Sequence, residues 1–252
     1  MKWIAALVLT LLPVLASAQL FDFRRDLAFS EQEVVRASEA TYRARIETLR
    51  GAGALDHDPT LASRIQAILV RLVSAAEAER PGTARLPWEI HISDAPGDNA
   101  TAMAGGKLLV SAPFVRSLEL DDDELACVLA HEVAHVVAEH ARESATAALA
   151  FVPKRHYRSY VDVQDELDSS FSLALKLQHV QAAQELEADS IGVVLAARAG
   201  YEPAAMLSLL QKLGEDDGAS VVRTHAPASE RLAQARRTLP IARRVRLSTP
   251  QP

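Results

Sequence analysis

Residues 125–137 decide the fold, and they read Leu-Ala-Cys-Val-Leu-Ala-His-Glu-Val-Ala-His-Val-Val. Apolar side chains recur through this stretch at helical spacing, so it predicts a helix with one face in the core. His131 and His135 are four residues apart, which places both imidazoles one turn apart on one face, where they can hold one Zn²⁺ ion. Glu132 lies about 100° further round the helix, so it can reach a water molecule on the metal without binding the metal itself.

A catalytic zinc site needs a third protein ligand. A third histidine six residues after His135 is absent, because Ala141 occupies that position. On a second predicted helix, Glu185 and Asp189 are four residues apart and point the same way, so Glu185 could complete the ligand set. Asp189 could accept a hydrogen bond from the outward ring nitrogen of one histidine and fix its tautomer. The pair alone also fits an acidic stripe on a solvated helix, but the run at 192–199, apolar except for Arg198, favours the zinc interpretation.

The rest of the chain predicts a mostly helical α+β fold, in which a small sheet lies beside the helix that carries both histidines. Helix-start signals precede the first two helices, a capping box at Ser30-x-x-Glu33 and an aspartate followed by proline at Asp58-Pro59. Alternating side chains predict short strands, and polar residues of mixed charge predict a loop. The predictions are strands at 88–92 and on both sides of Gly105-Gly106, a single helix at 125–150, a loop at 153–170, and later helices at 172–199, 203–213 and 228–239.

The segment Asn99-Ala100-Thr101-Ala102 is our candidate for the strand that binds a substrate. Small side chains near a glycine pair let another backbone approach closely, as an edge strand that receives a peptide requires. A plain hairpin that only fills the sheet explains the segment equally well.

The N-terminus has the three parts of a secretory signal peptide. A cationic start at Lys2 is followed by an apolar run of 12 residues at 4–15 and by Ala16-Ser17-Ala18. That run is well short of the roughly 20 apolar residues that a membrane-spanning helix needs. We therefore expect cleavage near Ala18 and a periplasmic or secreted protein with no transmembrane segment in the mature chain.

The composition is that of an ordinary globular protein. Hydrophobic residues make up 49% and charged residues 24%, which excludes a disordered chain. The net charge of −6 gives no general attraction to nucleic acid, whose phosphates need a basic surface. The single cysteine, Cys127, excludes an intramolecular disulfide and is best interpreted as a buried apolar side chain.

Several sequence blocks, in order over about residues 86–239, resemble metallopeptidase family 48, which includes the HtpX-type and CAAX prenyl proteases. The resemblance implies a gluzincin-type zinc peptidase domain and a zinc endopeptidase that acts on proteins or peptides, with misfolded or envelope proteins as expected substrates. Two departures are the lack of the usual aromatic residue after Asn99-Ala100 and the alanine at position 226, where proline is common. The matching blocks are Asn99-Ala100-Thr101-Ala102 with Gly105-Gly106, residues 129–135, Glu185-x-x-x-Asp189, residues 199–203, and Thr224-His225-Ala226-Pro227 with Arg231.

The resemblance also implies roles for single residues. His225 is expected near the metal, where it either steadies the oxyanion or occupies the open position as a fourth ligand; a loop histidine before a proline turn is the alternative. Arg231 is expected to orient that loop or to pair with an acid in the site. The full expected site has the metal ligands His131, His135 and Glu185, the catalytic group Glu132, His225, Asp189 and Arg231, and the substrate strand Asn99, Ala100, Thr101 and Ala102.

A second function fits the same residues, namely a latent, chaperone-like or adaptor protein whose zinc is blocked by His225. A basic C-terminus allows peripheral membrane contact, although a solvated end explains it better. The predicted segments are a signal peptide (1–18), an N-terminal helical scaffold packed on the peptidase domain (19–85), a zinc peptidase core (86–240) and a basic tail (241–252).

Overall fold

The computed structural model describes residues 19–152, 158–216 and 227–249. The predicted signal peptide and His225 therefore lie outside the described residues. These described residues are 68% helical with a small three-stranded sheet, which confirms the predicted α+β class. In chain order the elements are α1 (Glu31–Gly51), α2 (Pro59–Glu79), a 3₁₀ turn (Thr83–Arg85), β1 (Glu89–Ser93), β2 (Ala100–Met103), β3 (Lys107–Ser111), α3 (Ala112–Ser117), α4 (Asp122–Val137), α5 (His140–Ala148), α6 (Tyr160–Ser169), α7 (Phe171–Arg198), α8 (Ala205–Asp216) and α9 (Ala228–Ser248).

The predicted helix starts of α1 and α2 are confirmed, because Ser30 and Asp58 are their N-cap residues. The side chains of Ser30 and Asp58 accept hydrogen bonds from backbone N–H groups in the first turns of α1 and α2. The start of α4 is held by a full capping box, in which the side chains of Asp121 and Glu124 each accept from the other residue's backbone N–H. These caps satisfy N–H groups that a helix start otherwise leaves without partners.

The sheet has the strand order β1-β3-β2, so β2 lies at an edge. β3 pairs in parallel with β1 and antiparallel with β2, with Ala102 opposite Leu108. The turn between β2 and β3 requires glycine, because Gly105 and Gly106 have φ angles of 84° and 77°. A side chain at Gly106 would also approach the Trp88 ring to 2.7 Å. This turn places the β2 edge beside α4, which contacts it.

The centre of the core is the packing of α4 against α7. Leu125 and Leu129 of α4 and Ile191 and Leu195 of α7 are completely buried. The two helices approach each other closely at Gly192, where an added Cβ would lie 3.1 Å from the His131 backbone nitrogen. A glycine is thus needed where the two helices that carry the candidate metal ligands meet.

We expect Gly192→Val to destabilise the protein by about 1–3 kcal/mol, the usual range for overpacking a dense core. The new methyl groups would push α7 away from the α4 backbone. Urea unfolding measures the change, and Gly51→Val serves as the control, because no atom lies within 4 Å of a Cβ added at Gly51. Equal stabilities for the two variants would contradict the close helix contact.

The prediction of a single helix over 125–150 is wrong, because the chain breaks between α4 and α5. Glu139 has a φ of 57°, in the left-handed region, which a non-glycine residue adopts only with support from its surroundings. Arg80 and Arg142 both form ion pairs with the Glu139 carboxylate. Arg80 also donates to the Val137 carbonyl at 2.6 Å, at the end of α4. The break therefore depends on a residue of the α2–β1 connection that is distant in sequence.

The predicted loop at 153–170 is also wrong for most of its length. Residues 160–169 form α6, which begins with a capping box between Ser159 and Asp162. Residues 153–157 lie outside the described part of the chain. The last helix continues through Pro240 to Ser248, past the predicted end at Leu239.

No helix within residues 19–152, 158–216 and 227–249 combines the length and the apolar character that crossing a bilayer requires.

Candidate metal centre

Three side chains from α4 and α7 converge at one point. The Nε2 atoms of His131 and His135 are 3.0 Å apart, and the Glu185 carboxylate oxygens lie 3.4 Å from each of them. The potential ligand atoms all lie within 4.8 Å of one another, and this is the one such group of three found in the described residues. The structure thus brings together the three predicted ligands, although they are 50 or more residues apart across the two helices.

This group of atoms suits a zinc ion. Two imidazole nitrogens and one carboxylate are a donor set found in catalytic zinc sites that keep an open position. Burial alone lowers the pKa of His131, but hydrogen bonds with Asp189 and Glu185 raise it well above its usual value. Positive charge is therefore stabilised at the point where the three side chains meet.

Asp189 and Arg231 surround His131 on the side away from the other ligands. The Asp189 carboxylate is fully buried and lies 3.0 Å from Nδ1 of His131. Arg231, from α9, donates two hydrogen bonds to the same carboxylate, at 2.7 and 2.8 Å. Burial would raise the pKa of Asp189, but the hydrogen bonds from Arg231 and His131 hold it below its usual value. An ionised Asp189 can accept a hydrogen bond from the Nδ1–H group of His131, which keeps the proton on Nδ1 and leaves Nε2 free to bind a metal.

Glu132 is half-buried and lies near both histidines and the Ala102 backbone of β2. Burial raises the pKa of its carboxyl group, while the nearby imidazoles and a backbone hydrogen bond from Ala102 act in the opposite direction. A raised carboxyl pKa brings the group closer to the range in which it can exchange a proton near neutral pH.

The candidate substrate strand lies at the open edge of the sheet. Asn99 and Thr101 are exposed, whereas Ala100 and Ala102 are half-buried. A cavity of about 280 Å³ lies at the start of β2, next to Glu132, and its far wall is apolar. That wall consists mainly of Met206, Leu209, Leu210 and Leu213 of α8. A second cavity of about 110 Å³ lies at the other end of β2, beside His135.

Sequence reasoning missed His140, which belongs to no motif of the predicted site. His140 is only 3% exposed, and its ring lies against His135. The two histidines are five positions apart, so a continuous helix would have turned His140 away. The break in the helix at Glu139 changes the chain direction, so that the His140 ring contacts His135. Burial lowers the pKa of its imidazole.

Two other expectations concern Cys127 and His225. Cys127 is completely buried in the core, and burial raises the pKa of its thiol, so it behaves as the apolar side chain that we predicted. His225 lies outside the described residues, and its role stays a prediction.

Comparisons with known proteins identify relatives of the chain. It is 32% identical over 168 residues to the mitochondrial metalloendopeptidase OMA1 of Arabidopsis thaliana, an alignment covering 64% of this chain and 34% of the relative. It is 27% identical over 207 residues to the beta-barrel assembly-enhancing protease of Escherichia coli K12, covering 76% of this chain and 41% of the relative. Human OMA1 is 26% identical over 264 residues, covering 90% and 47%. The chain thus spans a third to a half of the length of these relatives.

The model of peptidase family M48 matches residues 59–239, which include both helices of the candidate metal centre. Peptidases of this family depend on zinc. The chain therefore belongs to peptidase family M48.

Proposed function

We propose that this protein is a zinc endopeptidase that hydrolyses bonds within unfolded polypeptides. The observation that carries the proposal is the convergence of His131, His135 and Glu185, with Glu132 beside them. Family membership and the metalloendopeptidase names of the relatives support the same activity.

We assign the ligand role to His131, His135 and Glu185. A zinc ion held by them would supply Lewis acidity to the peptide carbonyl and to the attacking water. Glu132 takes a proton from that water and delivers it to the leaving amine, so that a C–O bond and an N–H bond form while the peptide C–N bond and one O–H bond of the water break. Asp189, held by Arg231, keeps the His131 ring in one orientation during the reaction.

The geometry of the cleft favours an extended substrate. The Asn99 carbonyl already accepts a hydrogen bond from Ser111 of β3, and alternate residues of an antiparallel strand face the same side. A peptide that adds to the edge of β2 can therefore hydrogen-bond with the backbone of Ala100 and Ala102, whereas the backbone groups of Asn99 and Thr101 face β3. The apolar cavity next to Glu132 is large enough for an aliphatic or aromatic side chain beside the cleaved bond. A folded protein rarely exposes an extended strand with apolar side chains, so misfolded proteins, including those of the cell envelope, are the substrates that fit best.

The proposed compartment rests on the N-terminal sequence. A cationic start, an apolar run and Ala16-Ser17-Ala18 support export and cleavage near Ala18, to a periplasm or to the exterior. The relatives named after β-barrel assembly are compatible with an envelope role, whereas the OMA1 relatives are named as mitochondrial.

Removal of the metal tests the proposal. We expect the purified protein to degrade casein, an unstructured protein, to lose this activity after dialysis against a chelator, and to regain it when one equivalent of Zn²⁺ is added. Activity that survives complete zinc removal would refute the proposal. Zinc binding without cleavage of any unstructured protein would instead favour the latent protein blocked by His225.

A further inference from the structure

The two candidate histidine ligands have different outer partners. Nδ1 of His131 faces a carboxylate, that of Asp189, at 3.0 Å. Nδ1 of His135 faces another imidazole, with the His140 Nδ1 atom at 2.8 Å. A histidine ligand usually donates its second ring N–H to a carboxylate, a carbonyl or water. The imidazole partner of His135 is therefore unusual and requires a physical explanation.

The direction of the hydrogen bond between the two rings follows from the ligand role. If Nε2 of His135 binds zinc through its lone pair, the neutral ring carries its proton on Nδ1 and must donate it. His140 must then accept with the lone pair of its own Nδ1, and its proton must lie on Nε2. The other His140 tautomer would place two N–H groups 2.8 Å apart, face to face.

The surroundings of His140 hold its ring in that tautomer. Its Nε2 lies 3.3 Å from the Glu187 carboxylate, which can accept a hydrogen bond from an Nε2–H group. Arg25, from the segment before α1, pairs with the other oxygen of Glu187 and with Glu143 at 2.8 Å. Gln184 donates to the His140 carbonyl at 3.2 Å and fixes the start of α5.

We propose that His140 is a positioning residue for the metal ligand His135, and that a hydrogen-bonded series from His135 through His140 and Glu187 to Arg25 sets the tautomer of that ligand. The proposal rests on the proposed zinc site. It assigns a function to Arg25, which lies outside the part of the chain that matches the family model.

Substitutions of nearly equal shape test the hydrogen bond itself. Leucine and asparagine have the same branching, but only asparagine offers an oxygen at the position of the histidine Nδ1. We expect His140→Leu to weaken zinc binding by about 10–100-fold, the usual effect of losing an outer partner of a ligand, and His140→Asn to restore most of that affinity. The measurement is the zinc dissociation constant from competition with a chromophoric chelator. The exposed His179 provides the control, as His179→Leu, which should bind zinc like the unchanged protein.

A purely structural role for His140 would give a different pattern. It would lower the stability of the metal-free protein in urea for both variants while their zinc affinities stayed equal, and that result would overturn the proposal. Two-bond ¹H–¹⁵N spectra of the unchanged protein with zinc provide a test that does not depend on the folding of variants. They should show His135 protonated on Nδ1 and His140 on Nε2, and a His140 proton on Nδ1 would overturn the proposal. If the unchanged protein binds no zinc, the proposed function fails first.

Discussion

Glu132→Gln is expected to reduce peptide hydrolysis by about 10²–10⁴-fold, the range that general acid–base catalysis contributes, and to leave zinc bound. Glutamine keeps the size of the side chain and one acceptor oxygen but cannot take a proton from water. The metal ligands are untouched, so the zinc content of the variant should equal that of the unchanged protein. The measurements are kcat/KM for a quenched fluorescent peptide and zinc per chain by atomic absorption.

The matched control for this variant is Glu47→Gln, which removes an exposed carboxylate of α1 that pairs only with Arg50 among the contacts of the described residues. It should retain full activity and full zinc content. Undiminished hydrolysis by Glu132→Gln would contradict the assignment of the general base. A loss of zinc in that variant would contradict the view that Glu132 lies outside the ligand set.

Glu185→Gln is expected to abolish stable zinc binding and, with it, activity. The neutral amide removes the negative charge of the third ligand, so the loss in zinc affinity should exceed the roughly 10–100-fold that follows from losing an outer partner. Asp189→Asn is the comparison, because Asp189 lies one turn further along the same helix and contacts His131 rather than the metal position. Its loss of zinc affinity should stay within roughly 10–100-fold.

The order of these two effects is what the ligand assignment predicts. Zinc dissociation constants from chelator competition give the order, and urea unfolding of the metal-free proteins corrects for stability, since Asp189→Asn leaves the charge of half-buried Arg231 less well balanced. A larger loss of zinc affinity in Asp189→Asn than in Glu185→Gln would contradict this assignment, because it would indicate that Asp189 is the metal ligand and Glu185 the outer partner.

Short-range patterns explain which parts of the site the sequence could predict. His131, His135, Glu185 and Asp189 lie in pairs four residues apart, so a helix alone fixes which side chains share a face. The close approach of the two helices then depends on one residue, Gly192, and the apolar run around it already indicates burial. Arg231 was expected only from the family resemblance, because no local pattern links α9 to Asp189.

Contacts between distant segments explain what the sequence could not predict. His140 contacts His135 only because the helix ends before Glu139, and Arg80 holds that break in place from 59 residues away. No propensity scale assigns a left-handed conformation to a glutamate in a helical pattern. Likewise α6 was missed because only two of its residues, Tyr160 and Val163, are buried, and two apolar positions give a weak periodic signal.

The most direct test of the account is a crystal structure of the zinc-loaded protein with anomalous diffraction at the zinc edge. We predict one anomalous peak per chain, about 2.0–2.2 Å from Nε2 of His131, Nε2 of His135 and a carboxylate oxygen of Glu185. A zinc peak elsewhere in the molecule, or a metal bound by the two histidines with the Glu185 carboxylate turned away, would contradict the central claim.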